Sequence, residues 1–260
     1  MRRSLRLLIV LILVQVAGCT REGEQLDPSF VSPTPESKAT AISSEEQAYA
    51  TAREQLVERG IRSMGITDDA ILAVMRDVPR HRFVPAEWLA QAYDNHPLPI
   101  GYGQTISQPF IVALMTGAAA VEPGDRVLEV GTGSGYQAAV LAELVEHVFT
   151  VEIIGPLAER AETTLVELGY ENITVRHADG YYGWEEEAPF DAIVVTAAPD
   201  HIPQPLVAQL KIGGNLIIPV GPAGGYQTLW RVTKVSEDEV RTEDLGGVAF
   251  VPFTREEPAE

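Results

Sequence analysis

From residue 126 onward, short apolar runs alternate with amphipathic stretches, and this alternation constrains the fold more than any other feature. The apolar runs are nearly continuous, as expected for strands that are buried on both faces of a parallel sheet. The expected parallel strands are "RVLEV", "HVFTVE", "ITVRHAD", "FDAIVVTA" and "NLIIPVG". Because helical segments separate them, the pattern predicts an α/β domain with a doubly wound, mostly parallel sheet.

The segments that flank this alternation complete the predicted architecture. After it, "QTLWRVTKV" and "VRTEDLGGVAFVPF" follow each other without a helix, which predicts an antiparallel hairpin at the sheet edge. Ahead of it, helices are expected at residues 44 to about 59, 68–77 and 86–93, forming an N-terminal helical extension. Residues 97–109 contain so many Pro and Gly residues that we predict a loop there.

The composition excludes several classes of function. The formal net charge is −18 over 260 residues, so DNA, RNA and anionic lipid surfaces are poor electrostatic partners. Cys19 is the single cysteine, which rules out an intrachain disulfide and a cysteine-rich metal site. The five histidines are dispersed without the spacing of a metal motif, so no metal is predicted.

The first residues resemble the signal of a bacterial lipoprotein. A basic start precedes an apolar stretch at residues 7–17, and "VAGC" then ends in Cys19. We expect residues 1–18 to be a signal peptide and Cys19 to carry a lipid, the chain's one link to a membrane. Residues 19–44, rich in Ser, Thr, Pro and Glu, are expected to form a flexible tether to the cell envelope. An uncleaved anchor, or a start codon assigned upstream of a cytosolic protein, is the alternative.

A glycine loop follows the first predicted strand and opens a helix. Its members are Gly131, Thr132, Gly133, Ser134 and Gly135. Glu152 ends the second strand 21 positions after Gly131, the spacing expected of an acid that binds ribose hydroxyls. Asp179 and Gly180 end the third strand. Because ligands of such sheets bind beyond the carboxyl ends of the strands, these residues together predict a site for an adenosine-type cofactor.

Details of the loop distinguish between cofactors. A dinucleotide fingerprint requires Gly or Ala where this chain has Tyr136, and the phosphate-loop pattern is absent. Glu129, two residues before the loop, is unfavourable beside a pyrophosphate but suits a cationic ligand such as S-adenosylmethionine. The alternative is that Glu129 only caps or pairs locally.

Longer stretches carry a family resemblance. "LEVGTGSGYQAAVLA" resembles the first motif of S-adenosylmethionine-dependent methyltransferases with a Rossmann-like sheet. "GYGQTISQPFIVALM", "HADGYYGWEEEAPFDAIVVTAAP", "QLKIGGNLIIPVGPAGGYQTL" and "VAFVPFTREE" resemble the protein-L-isoaspartate O-methyltransferases. The resemblance extends from about Gln47 to the C-terminus, and "GQTISQP" is its most specific element. The signal and tether are outside the family pattern.

The resemblance assigns roles to individual residues. It implies that Ser107 is the active-site serine and that the preceding residues touch cofactor and substrate. The residues expected to bind the cofactor are Gln104, Thr105, Ile106, Glu129, Gly131, Thr132, Gly133, Gly135, Glu152, Asp179, Gly180 and Thr254. Where some relatives have a histidine shortly after the serine, this chain has Val112.

The implied reaction moves a methyl group from a sulfonium to the free carboxylate of an L-isoaspartyl residue in a damaged protein. Such a carboxylate, with an ordinary pKa near ~3.9, is already an anion at neutral pH and needs no strong base. We therefore expect alignment of the reactants to dominate catalysis, with the Ser107 hydroxyl orienting the carboxylate.

The domain prediction follows from this resemblance. Residues 45–260 form the expected methyltransferase domain, divided into an extension with the substrate loop (45–108) and a Rossmann-like core (109–260), in a monomer. Two alternatives stay open: a methyltransferase of another carboxylate, and an envelope lipoprotein that kept the fold as a binding module. The family default of a cytoplasmic location competes with the lipid anchor.

Overall fold

The computed structural model describes residues 43–222 and 224–255 of the chain. The expected signal, Cys19 and nearly all of the expected tether lie outside the described residues. The α-helices are α1 Ser44–Leu56, α2 Asp69–Asp77, α3 Pro109–Ala119, α4 Tyr136–Ala142, α5 Gly155–Glu167 and α6 Gln204–Ala208. The strands are β1 Leu98–Gly101, β2 Gln104–Ile106, β3 Arg126–Val130, β4 His147–Glu152, β5 Ile173–His177, β6 Phe190–Val195, β7 Leu210–Val220, β8 Gln227–Lys234 and β9 Val240–Val248.

Short helical turns complete the description. They are a π-helical turn at Val57–Ile61 and 3-10 turns at Arg62–Met64, Arg80–Phe83, Ala86–Gln91, Gly180–Tyr182 and Glu185–Glu187. The segment from residue 86, predicted as a helix to residue 93, is therefore a shorter 3-10 turn. Within the part of the chain that the structure describes, no helix combines the length and apolarity needed to cross a membrane.

Seven strands form one twisted sheet in the order β5-β4-β3-β6-β7-β8-β9. The neighbours from β5 to β7 are parallel, whereas β8 and β9 pair antiparallel at one edge. This confirms the predicted Rossmann-like fold class with its antiparallel edge hairpin. The chain moves outward in one direction from β3 and in the other from β6, so the order reverses between these two strands, where a ligand crevice is expected.

Alternate residues of β3 bury opposite faces of the sheet, as the two-residue period of a strand requires. Val127 packs with residues of α3 and α4, and Leu128 packs with Phe190 and Leu206 on the other face. The N-terminal extension adds a further apolar cluster, in which Leu72 and Ile100 lie with Tyr136 of α4. The extension and the sheet domain therefore share one continuous core.

The prediction of a loop at residues 97–109 is wrong. β1 and β2 form a two-stranded antiparallel hairpin in which Leu98 is opposite Ile106. Leu98, Ile100 and Ile106 are buried, because the hairpin directs its apolar side chains into the core of the extension. The turn is possible because Gly101 and Gly103 adopt positive φ angles of 92° and 73°.

Candidate active site

A cavity of about 550 Å³, a volume that includes its opening to solvent, lies beyond the carboxyl ends of β3, β4 and β6. Its position at the reversal of strand order is the one expected for a small-molecule ligand. Gly131 and Gly133 of the glycine loop, Glu152 of β4, and Gly180 all lie on its wall. The structure thus brings together residues at the ends of β3, β4 and β5, which the sequence analysis had connected only by their spacing.

The glycine loop has a backbone that only glycine adopts easily. Gly131, Gly133 and Gly135 have φ angles of 99°, 54° and 88°. A Cβ on Gly131 would lie only 2.4 Å from the Oγ1 of Thr196, which follows β6. Thr196 Oγ1 also donates to the Gly131 carbonyl at 2.6 Å, so β6 supports the loop directly. Sequence reasoning did not identify Thr196, which carries no motif of its own.

Glu152 is held rigidly in the cavity wall. Its Oε2 accepts a hydrogen bond from the Gly133 amide at 2.8 Å, and its Oε1 accepts one from the Ile154 amide at 2.9 Å. Only 5% of the residue is exposed. Each carboxylate oxygen keeps a second lone pair, so the fixed carboxylate can still accept hydrogen bonds from the hydroxyls of a ribose.

Glu129 does not lie on the cavity wall, and the expectation that it faces a cationic ligand remains a prediction. The residue is completely buried, and its Oε2 accepts a hydrogen bond from the Thr150 hydroxyl at 2.5 Å. Burial raises the pKa of the carboxyl to about 8. Thr132 is also buried, with its Oγ1 2.7 Å from that of Thr150. Glu129 thus makes a local hydrogen bond of the kind that the alternative describes.

The third strand end is shaped by Asp179 and Gly180. Gly180 lines the cavity, where a Cβ would lie 2.5 Å from a Cγ1 of Val130, so a larger residue does not fit. Asp179 Oδ1 accepts from the Tyr181 amide at 3.0 Å, and its Oδ2 pairs with the Nε of Arg255 at 2.8 Å. Both oxygens of Asp179 therefore already have a partner, while Gly180 lies on the cavity wall without a side chain.

Residues 251–255 form a strap over the cavity. The Ala198 amide donates to the Val251 carbonyl at 2.9 Å, and the Phe253 amide donates to the Ala198 carbonyl at 3.0 Å. Phe253 and Thr254 line the cavity, and the Arg255 guanidinium lies 3.7 Å from the centre of the Tyr181 ring. Of the strap, only Thr254 was expected at the site. The others were hidden in an apolar run that resembles the end of a strand.

The β1–β2 hairpin forms another wall. Gln104 and Thr105 line the cavity, whereas Ile106 is buried in the apolar core of the extension. Ser107 follows directly and is half-buried. Asn95 holds the start of α3 beside it, because its Oδ1 accepts from the Phe110 amide at 3.0 Å. Sequence reasoning missed this asparagine.

Some expected residues support the wall without lining it. Gly135 lies beneath the loop at the start of α4, where a Cβ would contact Leu165 at 3.4 Å.

The assigned roles of the individual site residues remain predictions. In residues 43–222 and 224–255, no three His, Cys, Asp or Glu side chains cluster as metal ligands would.

The chain matches known proteins along most of its length. The model of the protein-L-isoaspartate(D-aspartate) O-methyltransferase family matches residues 51–258. A protein-L-isoaspartate O-methyltransferase from Opitutus terrae is 56% identical over 219 residues, which cover 84% of this chain and 94% of that protein. One from Gloeobacter violaceus is 55% identical over 205 residues, covering 79% of this chain and all of that protein.

Solved structures agree with these relatives. A protein-L-isoaspartate O-methyltransferase superposes with a TM-score of 0.70 at 30% identity, over 77% of this chain and 65% of that one. A Plasmodium falciparum protein, described as a putative member in complex with S-adenosyl-L-homocysteine, superposes with a TM-score of 0.67 at 28% identity. That match covers 78% of this chain and 98% of the other. This chain belongs to the protein-L-isoaspartate(D-aspartate) O-methyltransferase family.

Proposed function

We propose that this protein transfers the methyl group of S-adenosylmethionine to the free carboxylate of L-isoaspartyl residues in proteins. The observation that carries this conclusion is the meeting of the glycine loop with the β1–β2 hairpin at one cavity. Gln104 and Thr105 of the hairpin line this cavity, and Ser107, which is not itself among the lining residues, follows two positions after Thr105. Family membership and the names of the relatives support the same reaction.

The residues of the wall fit the proposed cofactor. The positive φ angles of the glycine loop let its backbone approach a ligand, the Glu152 carboxylate has lone pairs free for ribose hydroxyls, and Gly180 lies on the wall without a side chain. S-adenosylmethionine supplies an activated methyl group when it is bound. The chain itself therefore has to bind, exclude water and align, which are the main catalytic contributions when both reactants are already activated.

Ser107 is the residue we propose for alignment of the substrate. Its hydroxyl can donate a hydrogen bond to one carboxylate oxygen and so direct the other oxygen towards the methyl group. A nucleophilic serine would need a neighbouring base, and among the described residues no histidine is hydrogen-bonded to Ser107. Ser107 thus orients the substrate and is not itself methylated.

The test uses two peptides that differ only in one linkage. Incubated with labelled S-adenosylmethionine, the isoaspartyl peptide should acquire a base-labile methyl ester, and its aspartyl twin should not. Equal labelling of both would indicate a methyltransferase of carboxylates in general. No labelling, together with no binding of the cofactor, would favour a binding module.

We also propose that a lipid on Cys19 anchors the protein in the cell envelope. The order of basic start, apolar stretch, "VAGC" and polar tether supports this. Fractionation of cells that express the wild type or Cys19→Ala tests it: only the wild type should sediment with membranes. A wholly soluble, unlipidated wild type would instead support the cytoplasmic location, where S-adenosylmethionine is made.

A further inference from the structure

Glu129 lies in the middle of the sheet without an opposite charge beside it. β3 pairs with β4 and β6 on its two sides, and Glu129 shares the face of Val127, which α3 and α4 cover. α3 and α4 contain no charged residue, and the β6 neighbour in register is Val194. Within the described residues, the charged group that acts on Glu129 is another acid, Glu152 of β4.

A chain of hydrogen bonds connects this carboxyl to the glycine loop. The Thr150 hydroxyl is 2.5 Å from Glu129 Oε2 and 2.7 Å from the Thr132 hydroxyl. Thr132 is itself a member of the loop, and the amides of Gly131 and Thr132 donate to the Val151 carbonyl. The carboxyl therefore supports, from below, the backbone that lines the cofactor cavity.

The surroundings favour a neutral acid at this position. An ionised Glu129 would place a second negative charge under the loop that already holds the Glu152 carboxylate. The Thr150 hydroxyl and the Ala138 amide both favour the anion, but they do not outweigh so complete a burial, and Oε1 makes no hydrogen bond of normal geometry among the described residues. Burial, as the largest cause, raises the pKa of this carboxyl to about 8.

We propose that Glu129 is a positioning residue that works in its neutral form, holding the glycine loop in its binding conformation through Thr150 and Thr132. This inference rests on the proposed use of S-adenosylmethionine. Ionisation of Glu129 forces charge repulsion beneath the loop, so the protein loses affinity for the cofactor at alkaline pH.

The pH dependence of S-adenosylhomocysteine binding tests the inference, measured by calorimetry without any turnover. If the competent form has a neutral Glu129 with a pKa of about 8, the wild-type Kd rises about tenfold from pH 7 to pH 9. Glu129→Gln is neutral at every pH, so its Kd should stay within about threefold of wild type at pH 7 and change less at pH 9. The ligand's own amino group titrates equally in both proteins and cancels in the comparison.

Thr150→Val tests the connection separately, with the exposed Thr163→Val on α5 as its matched control. Loss of the connecting hydroxyl should raise the Kd about threefold to tenfold at pH 7, and the control should not change it. The thermal midpoint of Glu129→Gln shows whether that variant folds. If it does not, the Kd values of Thr150→Val and Thr163→Val and the pH profile of the wild type still test the inference.

Three results would overturn the inference. One is a wild-type Kd that changes with pH no more than that of Glu129→Gln, and another is an unchanged Kd in Thr150→Val. The third is a Glu129→Gln protein that loses affinity for S-adenosylmethionine while it keeps affinity for S-adenosylhomocysteine, because that pattern requires an ionised acid facing the sulfonium. A folded wild type that binds neither ligand at any pH would instead refute the proposed function.

Discussion

Replacing Glu152 by Gln should weaken cofactor binding more than it weakens the fold. Both oxygens of the carboxylate accept backbone amides, at 2.8 Å from Gly133 and 2.9 Å from Ile154. Gln has the same shape, but its NH2 group is a donor and must face one of these amide donors. A buried amide that loses its charged acceptor costs about 1–3 kcal/mol of the free energy of unfolding.

The effect on binding is larger, because the carboxylate would also accept the ribose hydroxyls. A hydrogen bond to a charged group contributes about 1.5–3 kcal/mol, and Gln offers one neutral acceptor in place of two charged ones. We expect a loss of about 2–4 kcal/mol, which raises the Kd of S-adenosylhomocysteine by about 30-fold to 1000-fold. The thermal midpoint of the free protein should fall by only about 2–12 °C for a domain of this size.

Titration calorimetry at neutral pH measures the binding, and calorimetric melting of the free protein measures the stability. Glu162→Gln, on the exposed side of α5, removes the same charge away from the cavity and serves as the control. A folded Glu152→Gln protein whose Kd stays within about threefold of wild type would show that this carboxylate does not hold the ribose.

Three further changes test the other walls of the site. Ser107→Ala should lower kcat by about 10-fold to 100-fold and leave S-adenosylhomocysteine affinity unchanged, as expected for loss of one hydrogen bond to a charged substrate; equal loss of affinity would contradict its role. Arg255→Ala removes an ion pair and an aromatic contact that together contribute about 1–2 kcal/mol. The amides of Ala198 and Phe253, which hydrogen-bond the strap to the domain, should then exchange hydrogen about 5–30 times faster. The exposed control Arg241→Ala should leave their exchange unchanged. Gly180→Ala places a Cβ 2.5 Å from a valine methyl group and should destabilise the protein by about 1–3 kcal/mol in thermal melts, whereas Gly124→Ala, with no heavy atom within 4 Å of its Cβ, should change stability by less than about 0.5 kcal/mol.

The parallel strands and the class of the sheet could be predicted from the sequence because buried strands are short, mostly apolar runs. β3, β4 and β6 are mostly apolar, and glycine or proline residues occur in the segments that connect the strands. The β1–β2 hairpin was missed for the opposite reason. Its strands have four and three residues, and the spacing of Leu98, Ile100 and Ile106 is obscured by the intervening glycines. Only the core that receives these side chains makes the strands stable.

The positions of Glu129 and Arg255 show two other limits. Glu129 was interpreted from the chemistry of its motif, although its alternation with Val127 indicates a side chain that points into the α3–α4 face of the sheet. Arg255 pairs with Asp179, 76 positions earlier in the chain. No local sequence pattern predicts a contact between residues so far apart in the chain. The contact forms only because the strap crosses the sheet in the folded protein.

The apolar core that the extension shares with α4 and α5 has a consequence for unfolding. Leu72 and Ile100 pack in one cluster with Tyr136 and Leu157, so melting the extension would expose the underside of the glycine loop's own helix. We therefore expect residues 45–260 to unfold in a single cooperative transition. A fragment that begins at residue 109 would lose the hairpin and, with it, part of its own apolar core. The division at residue 109 therefore separates two parts of the topology, but it does not separate two units that are stable independently.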